Sequence, residues 1–210
     1  MKLYNYFRSS CSYRVRIALA LKGLAYEYVV VHLVKDGGEQ HLPAFLQKNP
    51  MAQVPVLEVD GLCLSQSVAI LEYLDERYPE PPLLPKDLVA RARVRAAVEA
   101  VNAGIQPLQN LSLMNEIKKM GGDGHAFAKA ANERGLVALE EMATAHGGER
   151  LVGDETSLAD VCLVPQMYSA RRFGVDLAPF PRLVAIDAAL TAHPAFAAAH
   201  PDRQPDAPTA

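Results

Sequence analysis

The sequence has no stretch approaching the ~20 apolar residues that a membrane-spanning helix needs, so a helical anchor is not expected. It also lacks a basic excess. With 21 Lys and Arg against 24 Asp and Glu, the net charge is −3, which leaves no surplus for the phosphate neutralisation that nucleic-acid binders rely on. Cysteine is scarce: Cys11, Cys63 and Cys162 are odd in number, widely spaced and set in apolar surroundings, the usage of a chain whose thiols stay reduced. No Cys-x-x-Cys is present, because Arg8 and Arg14 stand where a second thiol would be needed, and dithiol exchange is thereby excluded. His32, His41, His125, His146, His193 and His200 show no metal-ligand spacing, so no metal is expected. Phosphate-binding glycine loops are missing too, and Gly37-Gly38 and Gly121-Gly122 read as flexible loops. Met1 leads directly into a strand-like segment with no signal-peptide core, which predicts a cytoplasmic protein.

What is present suffices for a core: half of the 210 residues are hydrophobic, enough for one large domain or two small ones sharing an interface. The first part alternates strand and helix. Lys2 to Phe7 reads as a strand, Arg14 to Lys22 as a helix closed by Gly23, and Glu27 to Leu33 as a second strand, parallel to the first because a crossover joins them. A short helical stretch to Lys48 follows. Val56 to Val59 and Leu62 to Leu64, joined by Asp60-Gly61, form a hairpin signal, and Ser65-Gln66-Ser67 supplies capping hydroxyls for a helix with Ile70, Leu71, Leu74 and Tyr78 on one stripe. The order βαβ then ββα predicts a thioredoxin-like α/β domain over residues 1–80. Pro81-Pro82 marks a linker over 81–86. Residues 87–210 are expected to be all helical, with helices over Leu88 to about Lys118, Ala126 to Ala145, Ser157 to Phe173 and Pro181 to Thr191, and a loose or surface-bound tail from Pro201.

Ser9, Ser10 and Cys11 lie where the first strand hands over to the first helix. Unpaired N–H groups and hydroxyls there suit an N-cap, and equally a thiolate supplied by another molecule. Lowering a thiol pKa from ~8.5 to ~6.5 takes only about 2.7 kcal/mol, within reach of one hydrogen bond to a charged acceptor plus a helix terminus. Cys11 itself reads either as a monothiol or as a packed side chain. Pro55 in Gln53-Val54-Pro55-Val56 cannot donate to a ladder and is expected at the start of an edge strand. A cis Val54-Pro55 bond would leave the Val54 backbone open to a peptide-like ligand. Gln66-Ser67 at the start of a helix would hold a carboxylate or simply cap it. Ser157 and Asp160 match a capping box, so Asp160 is read as structural rather than catalytic. Arg171-Arg172 at a helix C-terminus either answers the helix dipole or binds a substrate carboxylate.

The run Ser9-Ser10-Cys11-Ser12-Tyr13-Arg14-Val15-Arg16-Ile17-Ala18 resembles the signature of zeta-class glutathione transferases, the maleylacetoacetate isomerases. The likeness continues through Lys35-Asp36-Gly37-Gly38, Asn49-Pro50-Met51, Gln53-Val54-Pro55, Gln66-Ser67, Gly104 to Ser112, Leu163-Val164-Pro165-Gln166 and Arg203-Gln204-Pro205-Asp206, almost the whole chain. It implies a glutathione transferase fold with glutathione as cofactor. It also implies Ser9, Ser10 and Cys11 as the active-site trio, with Gln40, Val54, Gln66 and Ser67 on glutathione. Gln106 and Asn110 are implied at the second substrate or the far edge of the tripeptide, and Arg172 and Arg8 on a dicarboxylate substrate. The reaction implied is glutathione-dependent cis–trans isomerisation of maleylacetoacetate to fumarylacetoacetate in tyrosine and phenylalanine breakdown, carried out by a homodimer. The related alternatives are a maleylpyruvate isomerase, a transferase acting on α-haloacids, or a glutathione-binding protein without turnover. Tyr13 departs from the family's usual Trp or His and bears on substrate preference. Other transferase classes use a first-strand tyrosine hydroxyl on the thiolate, so the resemblance also makes Tyr4 and Tyr6 alternative donors, or else packing residues in the sheet.

Overall fold

Strand β1 (Lys2–Asn5) turns Leu3 and Asn5 inward, and both are fully buried. It pairs in parallel with β2 (Glu27–Val30) and antiparallel with β3 (Val56–Val59), which pairs antiparallel with β4 (Leu62–Ser65). The sheet order is β2-β1-β3-β4. The computed structural model describes residues 1–208. The hairpin turn forms as the sequence predicts: Asp60 (φ 52°) and Gly61 (φ 78°) both take the left-handed conformation that a two-residue primed turn requires. Pro55 differs from expectation. β3 is an interior strand, and Pro55 is tolerated because it precedes the ladder, where no N–H is called for.

Helix α1 (Ser10–Leu21) follows β1, a single turn α2 (Pro43–Leu46) precedes β3, and α3 (Ser67–Arg77) follows β4. At the end of α1, Gly23 (φ 63°) supplies the left-handed residue beyond the cap. Lys22 there donates to Asp75 Oδ1 (2.9 Å), Tyr78 O (2.7 Å) and Pro81 O (2.9 Å), tying down the end of α3 and the chain beyond it.

Two compact units divide the chain, and their boundary departs from the expected one. The first is Met1–Pro81 with His193–Ala210, and the second is Pro82–Ala192. α1 packs on α3 and also on α9 (Pro194–Ala199) from the chain's end. The tail, expected to be loose or surface-bound, is bound. Pro201 and Gln204 are buried, Gln204 Nε2 donates to Ala198 O (3.0 Å) and His200 O (2.8 Å), and Asp206 bonds to the Phe7 N–H and the Tyr28 hydroxyl. Composition misleads here because the polar residues of the tail are partners for polar groups of the first unit.

In the second unit, α4 (Leu88–Asn102) packs on α6 (Gly124–His146) and α7 (Leu158–Arg172), while α8 (Pro181–Thr191) packs on α6 and α7. The expected linker is part of this unit: Leu83 and Leu84 are buried, and Leu83 O accepts the Leu158 N–H at 2.9 Å. The single helix expected from Leu88 to Lys118 is two. A 3₁₀ turn at Gln106–Gln109 and α5 (Leu111–Lys119) follow α4, because Pro107 lacks the N–H that continuation needs. Buried Gln109, Asn132 and Gln166 lock that turn onto α6 and α7: Asn132 Nδ2 donates to Gln109 Oε1 (2.8 Å), and Gln166 Nε2 donates to Gln109 Oε1 (3.1 Å) and Asn132 Oδ1 (2.5 Å). Such a network is stable only when each amide finds partners, as these do.

Candidate functional site

The strand register brings the predicted residues of the first unit to one end of the sheet. Tyr4 of β1 lies opposite Val56 of β3, and Val56 lies opposite Ser65 of β4. Ser9 therefore follows the end of β1, Val54 precedes the start of β3, and Gln66-Ser67 follows the end of β4, all at the same end. β2 runs parallel to β1, with Val30 beside Asn5, and leaves there too, toward Gln40. Tyr6, Phe7, Val31, Phe45, Val54 and Val56 form one apolar cluster under this end.

Ser9 is the N-cap of α1 (φ −67°, ψ 118°), and its Oγ accepts the Ser12 N–H at 3.2 Å. The cap uses a lone pair and leaves the hydroxyl proton able to donate. Ser10 and Cys11 occupy the first helical positions, whose N–H groups have no intrahelical acceptor. Ser10 is buried and Cys11 is a half-buried free thiol. Tyr4 is excluded as a thiolate donor by its geometry: its hydroxyl donates to Glu58 Oε2 at 3.0 Å, and Lys48 Nζ sits 4.6 Å from its ring. Tyr6 is buried with its ring edge-on to Phe7 and His32.

The start of α3 departs from the expected hydroxyl cap. The N-cap is Gln66, exposed, at φ 70° and ψ 113°, and its side chain makes no cap hydrogen bond. A left-handed conformation at a non-glycine residue costs of order 1 to 3 kcal/mol, a strain that clusters at ligand clamps. The Ser67 hydroxyl is engaged by Arg14 Nη1 at 3.0 Å, with Arg14 0% exposed. The first amides of α3 are thus left for an anion, which a helix start favours. The Val54-Pro55 bond is cis, and neither the N–H nor the C=O of Val54 has a hydrogen-bond partner among the described residues. Gln40 is buried, donates from Nε2 to Leu33 O (3.3 Å) and has an Oε1 with no partner.

Two neighbours escaped the sequence reading. Arg16, 1% exposed, donates to Asn5 Oδ1 (3.0 Å), Phe7 O (2.8 Å), Tyr6 O (3.4 Å) and Ala199 O (3.1 Å). Burial pushes its guanidinium pKa down, opposed chiefly by Tyr28 and Tyr26. Asp206 is the other. Both lie in segments that carry the family resemblance, but nothing local to either residue named its partners. Tyr13 is also displaced from its expected role. It is buried against α9, with its hydroxyl 3.5 Å from Phe196 O, rather than open to a ligand.

In the second unit, Gln106 and Asn110 border the turn held by the amide network. Asn110 Oδ1 caps α5 by accepting the Ser112 N–H at 3.2 Å. Arg172 is exposed at the end of α7, its guanidinium carbon 5.4 Å from the Phe173 ring centre, and Arg8 in the first unit is likewise exposed, 5.9 Å from that of Phe7. Asp160 caps α7 as predicted, accepting from Leu151 N (3.0 Å), Ser157 N (2.8 Å) and Ser157 Oγ (3.2 Å). Burial raises its pKa, and these donors oppose the rise. Asp160→Ala should therefore cost about 2 to 3 kcal/mol in urea unfolding, from buried donors left unmatched, with activity unchanged at a temperature where the variant is folded.

Among the described residues no helix is long and apolar enough to cross a membrane, and no group of His, Cys, Asp and Glu could hold a metal ion. Residues 1–76 match the profile of the glutathione S-transferase N-terminal domain. A rat protein named maleylacetoacetate isomerase is 52% identical over 207 residues, spanning 98% of this chain and 94% of its own. A solved maleylpyruvate isomerase, described as a bacterial zeta-class glutathione S-transferase, superposes with a TM-score of 0.95 at 43% identity, covering 99% of this chain and 100% of that one. A maleylacetoacetate isomerase from Anaeromyxobacter dehalogenans, solved with glutathione in its active site, gives 0.89 at 53% identity, with 99% and 97% covered.

Proposed function

Because the chain belongs to the zeta-class glutathione transferases, the family of the maleylacetoacetate isomerases, we propose that it is a glutathione-dependent cis–trans isomerase converting maleylacetoacetate to fumarylacetoacetate. The observation that carries the reading is the Ser9-capped start of α1, set at the same end of the sheet as the open Val54 backbone and the uncapped start of α3.

The donor set suits a thiol tripeptide. Val54 offers one N–H and one C=O, the pairing surface of an added strand. Gln40 Oε1 is a buried acceptor open to a ligand N–H. The start of α3, Gln66 and the Ser67 hydroxyl suit a carboxylate. When bound, glutathione supplies a sulfur nucleophile whose reversible addition to a conjugated double bond leaves a single bond free to turn. The chain's part is to hold that sulfur ionised, through the Ser9 hydroxyl and the Ser10 and Cys11 amides. Ser10 and Cys11 complete the trio in this reading. Arg8 on the first unit, and Gln106, Asn110 and Arg172 on the second, are assigned to the far edge of the tripeptide or to a dicarboxylate substrate. A cytoplasmic homodimer is part of the same proposal.

Rates with maleylacetoacetate, maleylpyruvate and dichloroacetate, measured in parallel, test the substrate. A preference for maleylpyruvate would favour the second reading, which the likeness to the solved maleylpyruvate isomerase supports. The absence of any glutathione-dependent turnover would leave a binding protein. The Arg14–Ser67 hydrogen bond gives a separate prediction. Ser67→Ala and Arg14→Met should each raise the KM for glutathione about tenfold, and together by much less than a hundredfold, because both delete one interaction.

A further inference from the structure

The turn that delivers Ser9 is held by a residue from the opposite end of the chain. We infer that Asp206 is a positioning residue of this site: its carboxylate grips the Phe7 N–H and the Tyr28 hydroxyl and so fixes the turn from which the Ser9 hydroxyl projects. The inference rests on the glutathione reading above.

The backbone groups flanking Phe7 are held from two directions. Asp206 Oδ2 accepts the Phe7 N–H at 2.9 Å, and on the other side of the same residue Arg16 Nη2 donates to Phe7 O at 2.8 Å. Tyr6 O accepts the Ser9 N–H at 3.0 Å and a longer bond from Arg16 Nη1 at 3.4 Å. The Tyr6–Phe7 peptide is thus held between a carboxylate and a guanidinium, and the Phe7–Arg8 peptide by the guanidinium. Neither peptide can rotate without breaking a charge-assisted hydrogen bond, the stronger kind. Ser9 is two residues further on, and its Oγ moves with that backbone.

Asp206 is itself held. Its second oxygen accepts the Tyr28 hydroxyl at 2.5 Å, from β2 next to β1. Burial and the bond to Asp206 both push the Tyr28 pKa well above its ordinary value, so it stays a donor at every working pH. Gln204 anchors the tail backbone to Ala198 and His200, and Ala207 N returns to Gln204 O at 3.0 Å. Asp206 touches no group that would bind the ligand. Its effect on the reaction therefore passes through Phe7, and a shift of an ångström in a reacting group can cost of order a hundredfold.

The test compares Asp206→Ala, Asp206→Asn and Tyr28→Phe with the parent. Asp206→Ala is expected to lower kcat about tenfold and to move the titration midpoint of bound glutathione thiol up by about one pH unit, with its KM changed less than threefold. Asp206→Asn keeps an acceptor for the Phe7 N–H and should recover most of both, and Tyr28→Phe should fall between. Amide hydrogen exchange of the ligand-free protein reads the clamp alone: protection at Phe7 and Ser9 to Ser12 should drop about tenfold in Asp206→Ala while that of α3 holds. An Asp206→Ala protein that melts lower but keeps the parent's kcat and thiol midpoint would overturn the proposal. If that variant does not fold, a parental thiol midpoint in both Asp206→Asn and Tyr28→Phe, with no loss of exchange protection in Tyr28→Phe, would overturn it equally. A parent that shows no lowered thiol midpoint would instead sink the glutathione reading, and the exchange measurement would still decide the clamp.

Discussion

Ser9→Ala is expected to lower kcat by about a hundred- to a thousandfold, the cost of removing one preorganised donor from a developing or resident negative charge, whereas Tyr6→Phe should stay within about threefold. The two positions differ in what surrounds the hydroxyl. Ser9 caps α1 through an oxygen lone pair, so its proton remains for a ligand, and the first amides of the helix point the same way. Tyr6 belongs to the apolar cluster beneath the site, edge-on to Phe7 and His32. Ser9→Ala also removes a cap worth about 1 kcal/mol, so two further variants separate the roles. Ser9→Thr retains cap and hydroxyl and should retain activity. Ser9→Asp retains the cap acceptor but offers no donor, and should be at least as inactive as Ser9→Ala. Thiol titration in the ultraviolet and steady-state kinetics give the ranking, and a larger loss in Tyr6→Phe would reverse the assignment.

Arg16→Met should carry the largest stability penalty of any single substitution considered. The side chain is buried and satisfies Asn5 Oδ1 and the carbonyls of Tyr6, Phe7 and Ala199. Methionine fills a similar volume but donates nothing. Several buried acceptors would be stranded, at about 1 to 3 kcal/mol each before relaxation. An overall loss of about 3 to 5 kcal/mol is expected, a fall in melting temperature of ~10 °C for a chain of this size. Arg16→Lys should recover only part, since one ammonium cannot reach acceptors that a planar fork spans. A melting temperature within about 2 °C of the parent in Arg16→Met would show that these hydrogen bonds are replaced by water at no net cost.

The fold of the first unit was legible because each local signal had one physical meaning: Asp60-Gly61 for a primed turn, Gly23 for a left-handed residue, β-branched runs for strands. The capping box of Asp160 was legible for the same reason, since Ser157 and Asp160 need only each other's backbone. What was not legible depended on partners far along the chain. Asp206 bonds a residue 199 positions earlier, and no window of sequence contains both. The partners of Arg14 and Arg16 were equally out of reach, because α1 is enclosed by α3 and by α9 from the end of the chain. The break after Asn102 was missed because helix propensity on both sides is high, and a single Pro107 outweighed it. The candidate site was read more from resemblance than from spacing. Its residues in the first unit occupy four separate segments, and only the β-ladder register shows that these segments meet the sheet at one end.

The return of α9 and Asp206 to the first helix has a bearing on how the protein is made. A ribosome releases β1, α1 and the hairpin early, and the thioredoxin-like unit still lacks the Ala199 carbonyl for Arg16 and the Asp206 carboxylate for Phe7 and Tyr28 until residues 199–206 emerge. The nascent unit must therefore wait, with a buried-type arginine still wet, through the synthesis of the entire helical unit. Setting of the turn before Ser9 then waits for the chain's last residues, and termination between Ala192 and Asp206 would yield a chain whose sheet is complete and whose turn before Ser9 lacks its carboxylate.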